Sequence, residues 1–313
     1  MTGTQPAVHS AGKMIGGWIA LSRLPFHLVG VIPFLLGTLL AFRLGQVFNL
    51  EIFLLGVAAV ILIMLSTYHA GEYFDRKEDS ISAGIHKNPF AGGSGVMPSG
   101  KMPPAVPLYT SVISLSAALA IGIILRFVYQ TGPWTLALGF MGALPGFFYS
   151  TEPIRLVKRG VGELFIGFCF GWLPIAAACY IQAGTVFPVI HWISLPVGLS
   201  IFNVILLNEF PDYEADMISG KKNLLCRLGK EGGRTLYIAA ALLVSITMLL
   251  SPFFGVPFKV VWFALPVVAI DLYCATTVKR NLYDDPGRLE LLCGLTIVVN
   301  LGVSISYLLA YAL

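Results

Sequence analysis

Gly71-Glu72-Tyr73-Phe74-Asp75-Arg76-Lys77-Glu78-Asp79 and Asn208-Glu209-Phe210-Pro211-Asp212-Tyr213-Glu214-Ala215-Asp216 are two copies of one pattern, Glu-aromatic-x-Asp-x-x-x-Asp. Asp212 follows Asp75, and Asp216 follows Asp79, by the same 137 residues. Each copy stands at the end of a long apolar run, and roughly 20 mostly apolar residues suffice for a helix to cross a bilayer. Counting outward from the two copies gives nine such runs: Met14–Ala41, Ile52–Ala70, Val106–Leu125, Trp134–Tyr149, Leu164–Ile181, Val189–Leu207, Thr235–Leu250, Val261–Val278 and Leu291–Leu313. The fourth and seventh are short, and Pro145 is placed to kink the fourth. Motifs four spans apart share one orientation in the membrane. The pattern therefore predicts an all-α integral membrane protein of nine transmembrane helices in a single domain, 1–313. Two parallel four-helix repeats, about 14–151 and about 162–279, are followed by a ninth helix at about 289–313.

The composition agrees. Of 313 residues 57% are apolar and 12% charged, against roughly 25% charged in a soluble domain. So few charges cannot clothe a water-soluble surface of this size, and so much apolar residue excludes a disordered chain. The net charge of +4 gains meaning once the charges are placed. Under the nine-span threading, one side holds Lys13, Arg76, Lys77, Lys87, Lys101, Arg155, Lys158, Arg159, Lys221, Lys222, Arg227, Lys230, Arg234, Lys279, Arg280 and Arg288, which is 16 of the 20 basic residues. Arg43, Arg126 and Lys259 fall on the other side, and Arg23 lies within the first run. Basic residues gather in cytoplasmic loops, so the N-terminus is expected inside and the C-terminus outside. Acidic residues contribute little to that rule, yet 14 of the 16 lie in or beside the same loops. Their clustering places function on the cytoplasmic face. The five cysteines form no Cys-x-x-Cys pair and read as small apolar residues.

Residues four apart share a helix face, so Asp75 pairs with Asp79 and Asp212 with Asp216. Two carboxylates on one face repel unless a cation lies between them, and Mg²⁺ suits such oxygen ligands, taking one or two carboxylates plus phosphate oxygens and water. Two such pairs facing each other would hold a diphosphate through bridging ions. A single Asp-x-x-x-Asp reads as a solvated helix end; a second matching copy at equivalent depth reads as a site. Arg76, Lys101, Lys158, Arg159, Lys221 and Lys222 lie in the same loops, either to neutralise a diphosphate or as ordinary interface anchors. Ala91-Gly92-Gly93-Ser94-Gly95 reads as a backbone cradle for phosphate or as a flexible loop. Arg23 and Asp271 lie inside apolar runs, where ionisable groups are costly and usually functional. A cation transporter would also need carboxylates, but transporter sites lie near the bilayer midplane, whereas these acids stand at helix ends beside basic residues.

With these residues in hand, the chain resembles the UbiA superfamily of intramembrane prenyltransferases. The first motif is similar to that family's Asn-Asp-x-x-Asp-x-x-x-Asp, with Gly71-Glu72 in place of Asn-Asp, and the second to its Asp-x-x-x-Asp. Tyr149-Ser150-x-x-Pro153 with Lys158, Gly160, Gly162 and Glu163 resembles the family's connector after the fourth helix. Gly220-Lys221-Lys222-Asn223-Leu224 and Arg227-Leu228-Gly229 resemble the segment that follows its second motif. Glu72-Tyr73-Phe74-Asp75, Gly92-Gly93-Ser94-Gly95 and Tyr180-Ile181-Gln182-Ala183-Gly184 look most like the 1,4-dihydroxy-2-naphthoate prenyltransferase branch of menaquinone biosynthesis.

The resemblance implies a membrane-bound enzyme that moves a polyprenyl group from its diphosphate to an aromatic acceptor. Asp75, Asp79, Asp212 and Asp216 would hold Mg²⁺, with Asn208 and Glu209 beside them and Glu72 in the catalytic set. Arg76, Lys101, Lys158, Lys221 and Lys222 would contact the diphosphate. Tyr73, Phe74, Tyr149 and Phe210 would wall the allylic cation, with Ser150 against substrate. Arg23 would meet an acceptor carboxylate or snorkel to the interface. The expected surroundings are a lipid bilayer, in a prokaryotic cytoplasmic membrane, with no nucleic acid. Related alternatives are a 4-hydroxybenzoate or geranylgeranylglyceryl phosphate prenyltransferase and a terpene cyclase.

Overall fold

A computed structural model describes residues 11–85, 88–91 and 93–313. Lys87 and Gly92, named above, lie outside the described residues, as does the side chain of Lys13. The described residues form helices and connections, with no strand among them. In chain order the helices are α1 (Ala11–Leu21), α2 (Leu28–Gly45), α3 (Leu50–Phe74), α4 (Arg76–Ile85), α5 (Ala105–Ile123), α6 (Thr135–Phe147), α7 (Gly162–Phe170), α8 (Trp172–Ala183), α9 (Pro188–Asn208), α10 (Tyr213–Ile218), α11 (Leu224–Leu250), α12 (Val260–Lys279) and α13 (Pro286–Ala312). Eight stretches among the described residues are long and apolar enough to cross a membrane, α1–α2 and α7–α8 each counting as one. With the shorter apolar α6 they match the nine expected runs. At 1.5 Å per residue α6 is only about 20 Å long, the short fourth helix that the sequence foretells.

Three spans are interrupted, each for a local reason. The first breaks where Arg23 takes a left-handed backbone (φ 46°) ahead of the 3₁₀ turn Leu24–His27, with Pro25 in that turn's first positions. The fifth breaks at Gly171, where α9 crosses so close that a side chain on Gly171 would strike the backbone of Gly198. The seventh, expected from Thr235, instead begins at Leu224. Asn223 caps its first turn through Oδ1, which accepts from the Cys226 amide at 2.8 Å. Gly229 (φ 70°) then bends the chain into the span proper. The charges between Arg227 and Arg234 hide this start from a reading by apolarity alone, because helix propensity does not need an apolar face.

The main apolar core lies between α2, α8, α9, α11, α12 and α13, where Leu36, Ile175, Ile193, Val260 and Val303 are fully buried. Gly37 faces the Ile175 carbonyl so closely that any side chain would collide with it, which lets α2 and α8 lie against each other. Asp271 is buried in α12 and accepts a hydrogen bond from Ser245 Oγ at 2.8 Å; its partner is neither a basic group nor the cavity described next. At the polar end, the short helices α4 and α10 pack on each other, bringing the two motifs together.

Candidate active site

Both motifs open onto one cavity of about 380 Å³. Glu72, Asp75 and Asp79 enter it from the α3–α4 junction, and Asn208, Glu209, Asp212, Asp216 and Lys221 from the α9–α10 junction and the loop beyond. The helical spacing survives at each junction, since the Asp79 amide donates to the Asp75 carbonyl at 2.9 Å and the Asp216 amide to the Asp212 carbonyl at 2.8 Å. Away from the acids the cavity becomes an apolar channel between α2, α3, α6 and α8, past Tyr68, Met64, Val60 and Leu138 to Phe34 and Gly56. From Asp75 back to Gly56 along α3 the channel runs roughly 28 Å at 1.5 Å per residue.

The first motif is held from two sides. Ser150 Oγ donates to Asp75, and Arg155 Nη2 lies 2.7 Å from Asp75 Oδ1 and 3.1 Å from Glu78 Oε1. Lys158 Nζ pairs with Glu78 at 3.0 Å. Glu72 Oε1 accepts from Arg23 Nη2 at 3.1 Å and from the Ser94 amide at 2.7 Å, while Oε2 accepts from Ser94 Oγ at 2.9 Å. Gly93 (φ 70°) passes so near Asp79 that a side chain there would run into the carboxylate.

In the second motif Ser82 Oγ, on α4, donates to Asp212. Asp216 takes Lys221 Nζ at 3.3 Å and Asn223 Nδ2 at 2.8 Å. Glu209 turns toward the start of α11: the Leu225 amide donates to it at 3.4 Å, and the Leu224 amide donates to the buried Glu163 at 2.9 Å.

This is a crowd of acids with too few cations. Burial, with Glu72 and Asp75 nearby, pushes the Asp79 carboxyl up to about 8. Burial lifts Asp216 to about 6, with Asp212 adding to the rise and Lys221 opposing it. Burial and the neighbouring Glu163 hold Glu209 well above the usual carboxylate range. Burial alone would lower Lys221, but Asp216, Asp75, Asp212 and Glu209 more than reverse it and raise its proton affinity.

The donor set fits a hard dication. Asn208 Oδ1 is buried at the cavity wall with no hydrogen-bond partner among the described residues. Among the described residues no three His, Cys, Asp or Glu side chains converge to hold a metal on their own. Mg²⁺ needs only one or two carboxylates when phosphate and water complete its shell, so two aspartate pairs sharing a phosphate-bearing ligand meet its demands.

Of the residues singled out in the sequence, Arg23, Tyr149 and Ser150 also line this cavity. Others point elsewhere. Tyr73 packs edge-on against Phe74, and Arg76 lies 4.7 Å over the Tyr73 ring, so these three do not line it. Phe210 is buried against Tyr283 in the core. Lys158 is occupied by Glu78, Lys222 is exposed, and Lys101 lines a second cavity. The aromatic wall is built instead from Phe26, Phe34, Tyr68, Phe90, Phe165 and Phe170, together with Tyr149. Arg155, Ser82, Ser94 and Asn223 hold the acids in place without matching the repeated pattern.

The UbiA prenyltransferase family profile matches residues 30–296. A 1,4-dihydroxy-2-naphthoate octaprenyltransferase of Bacillus subtilis is 28% identical over 76% of this chain and 73% of its own length. A 2-carboxy-1,4-naphthoquinone phytyltransferase of Synechocystis is 26% identical over 74% of this chain and 72% of its own. Among solved structures, a UbiA homologue from Archaeoglobus fulgidus bound to GPP and Mg²⁺ superposes with a TM-score of 0.64 at 15% identity, covering 95% of this chain and 100% of that one.

Proposed function

The chain belongs to the UbiA prenyltransferase family and is a membrane-bound prenyltransferase, and from that premise we propose that it transfers a polyprenyl group from a polyprenyl diphosphate to an aromatic acid of the 1,4-dihydroxy-2-naphthoate type. One observation carries the donor half: the acids of both motifs and a long apolar channel belong to a single cavity. A ligand that suits it has a polyanionic end, held to the acids through bridging cations, and hydrocarbon along the rest, which describes a polyprenyl diphosphate bound with Mg²⁺. The acceptor half draws on two of the relatives, named for 1,4-dihydroxy-2-naphthoate and for 2-carboxy-1,4-naphthoquinone.

Asp75, Asp79, Asp212 and Asp216 would hold Mg²⁺, with the Asn208 amide oxygen beside them. When bound, the metal supplies positive charge to the departing diphosphate as the allylic C–O bond breaks. Lys221, set in place by Asp216, adds a cation from the protein itself. Arg155 keeps Asp75 aimed inward. Tyr68, Tyr149 and Phe26 exclude water from the allylic cation and face it with π electrons. An electron-rich ring carbon then attacks the cation, the hydrogen on that carbon leaves as a proton to a rim carboxylate or water so that the ring regains aromaticity, and the tail stays in the channel throughout.

The test is incubation of purified protein in lipid nanodiscs with labelled prenyl diphosphate, Mg²⁺ and a small acceptor panel, with products weighed by mass spectrometry. A prenylated naphthalene adduct is expected, with diphosphate release dependent on Mg²⁺. A cyclised hydrocarbon formed without acceptor, or transfer to 4-hydroxybenzoate alone, would replace this reading with one of the family's other chemistries.

A further inference from the structure

The end of the apolar channel farthest from the acids is closed. Phe34, Leu125, Thr135, Leu138 and Ile181 line it there. None of them is more than 8% exposed, and all but Thr135 belong to one packed apolar cluster. The Phe34 ring occupies the space that Gly56 leaves open, and a side chain at Gly56 would strike it.

Behind this floor the connections are tied by hydrogen bonds. Gln182 Oε1 accepts from the Asn49 amide at 2.8 Å and Gln182 Nε2 donates to the Asn49 carbonyl at 2.9 Å, which fixes the end of α8 to the start of α3. The Trp134 amide donates to the Tyr180 hydroxyl at 3.2 Å. Gly132 (φ 111°) passes so near that hydroxyl that any side chain would collide with it. Thr131 Oγ1 donates to the Leu125 carbonyl at 2.9 Å. The segment Tyr180-Ile181-Gln182 therefore supplies one residue to the floor and one to each of two ties.

We propose that this closed end gauges the prenyl tail, so that the preferred donor is the one whose tail just reaches Phe34. The proposal rests on the prenyl-transfer reading above and adds tail length to it. From Asp75 to Gly56 the channel runs roughly 28 Å at 1.5 Å per residue. With carbon–carbon bonds of about 1.5 Å, an isoprene unit of four main-chain carbons advances about 5 Å when extended, so about five units reach the floor. Apolar area alone cannot choose a length, because a tail left in the bilayer is as well shielded from water as one in the channel. Fit can choose. A tail that stops short leaves the floor without contact partners, and a longer one must buckle or leave the channel between helices.

Two side chains set the depth. Phe34 is the floor itself, and Ala118 stands one step short of it. Ser111 Oγ donates to the Ser66 carbonyl at 2.8 Å, which levels α5 with α3 at a point nine residues before Asp75. Ala118 lies seven residues further along α5 and lines the channel, at roughly 24 Å from Asp75.

The experiment offers purified protein in lipid nanodiscs an equimolar mixture of all-trans prenyl diphosphates of four, five, six and eight isoprene units. Mg²⁺ and 1,4-dihydroxy-2-naphthoate are present, and both products and remaining donors are weighed by mass spectrometry at low conversion. In such a competition the ratio of donors consumed is the ratio of their kcat/KM values. Wild type is expected to favour five units over eight by at least about tenfold, the scale of one misfitted group in a hydrophobic pocket. Phe34→Ala, and the milder Phe34→Leu, should move the preference to longer tails and Ala118→Phe to shorter ones, each by about one unit. Opposite shifts from opposite changes of volume are a result that loosened packing alone does not produce. A wild-type ratio independent of length, ratios unchanged in all three variants, or a shift in one common direction overturns the gauge. Donors consumed in the expected order of length with no aromatic acid prenylated would sink the acceptor reading and leave the gauge standing.

Discussion

Asp75 and Asp212 each rest on a hydroxyl from a distant segment, Ser150 and Ser82, so each carboxylate is positioned without being a packing element. Replacing either by alanine is expected to lower turnover by at least about a hundredfold, the scale of losing a preorganised charge at the reacting centre. The unfolding temperature in detergent should barely move, because both side chains are only partly buried at the rim. Diphosphate release and a thermal melt on the same preparation check the pair; near-normal release in either variant would make the two-pair metal site untenable. The aspartates were legible because repetition in sequence survives folding. Arg155 was not: its own left-handed backbone (φ 42°) turns it back onto Asp75, 80 residues earlier. Tyr73 and Phe74 misled for the opposite reason. Adjacent residues on a helix point in different directions, so closeness to Asp75 in sequence said nothing about facing the cavity.

At the level of the helix, α6 deserves the closest reading because it is both short and smooth. Gly139, Gly142 and Gly146 all line the channel, and a Cβ added at Gly139 would meet nothing within 4 Å. Gly146 lies level with Thr67 of α3. Gly139 is two turns further from the acids, which puts it about 22 Å from Asp75. Gly139→Phe is therefore expected to obstruct the channel at that depth. Donors of eight isoprene units should lose at least about tenfold in kcat/KM, a barrier change of roughly 1.4 kcal/mol, while geranyl diphosphate is spared. Parallel kinetics with the two donors decide it; an equal loss for both would mean that the tail does not run along α6. The spans themselves were readable from apolarity, and α6 from its brevity. The break at Gly171 was not, since its cause is Gly198, on another helix.

For the molecule as a whole, the distribution of charge sets orientation. We propose that the polar rim of the cavity faces the cytoplasm, because the basic residues gather on its side, and that the 137-residue offset marks an internal duplication of two four-helix units, about 14–151 and about 162–279. A tag at the C-terminus should then be modified by an impermeant reagent from outside intact cells, and one at the N-terminus only after lysis; the reverse pattern would invert the topology. The packing of α4 on α10 completes the site, since neither 14–151 nor 162–279 alone carries both aspartate pairs.

The cavity's division into an acid-rimmed end and a hydrocarbon end bears on whether the reaction can run backwards. With a polyprenyl diphosphate as donor, its two products would belong to different phases. Pyrophosphate would be diluted into the aqueous volume, while the prenylated ring would be retained among the lipid tails. Reversal would require both to meet again at one rim. Partitioning would keep their encounter rare even where the bond energies alone were nearly balanced, so the protein would act as a one-way valve between water and oil.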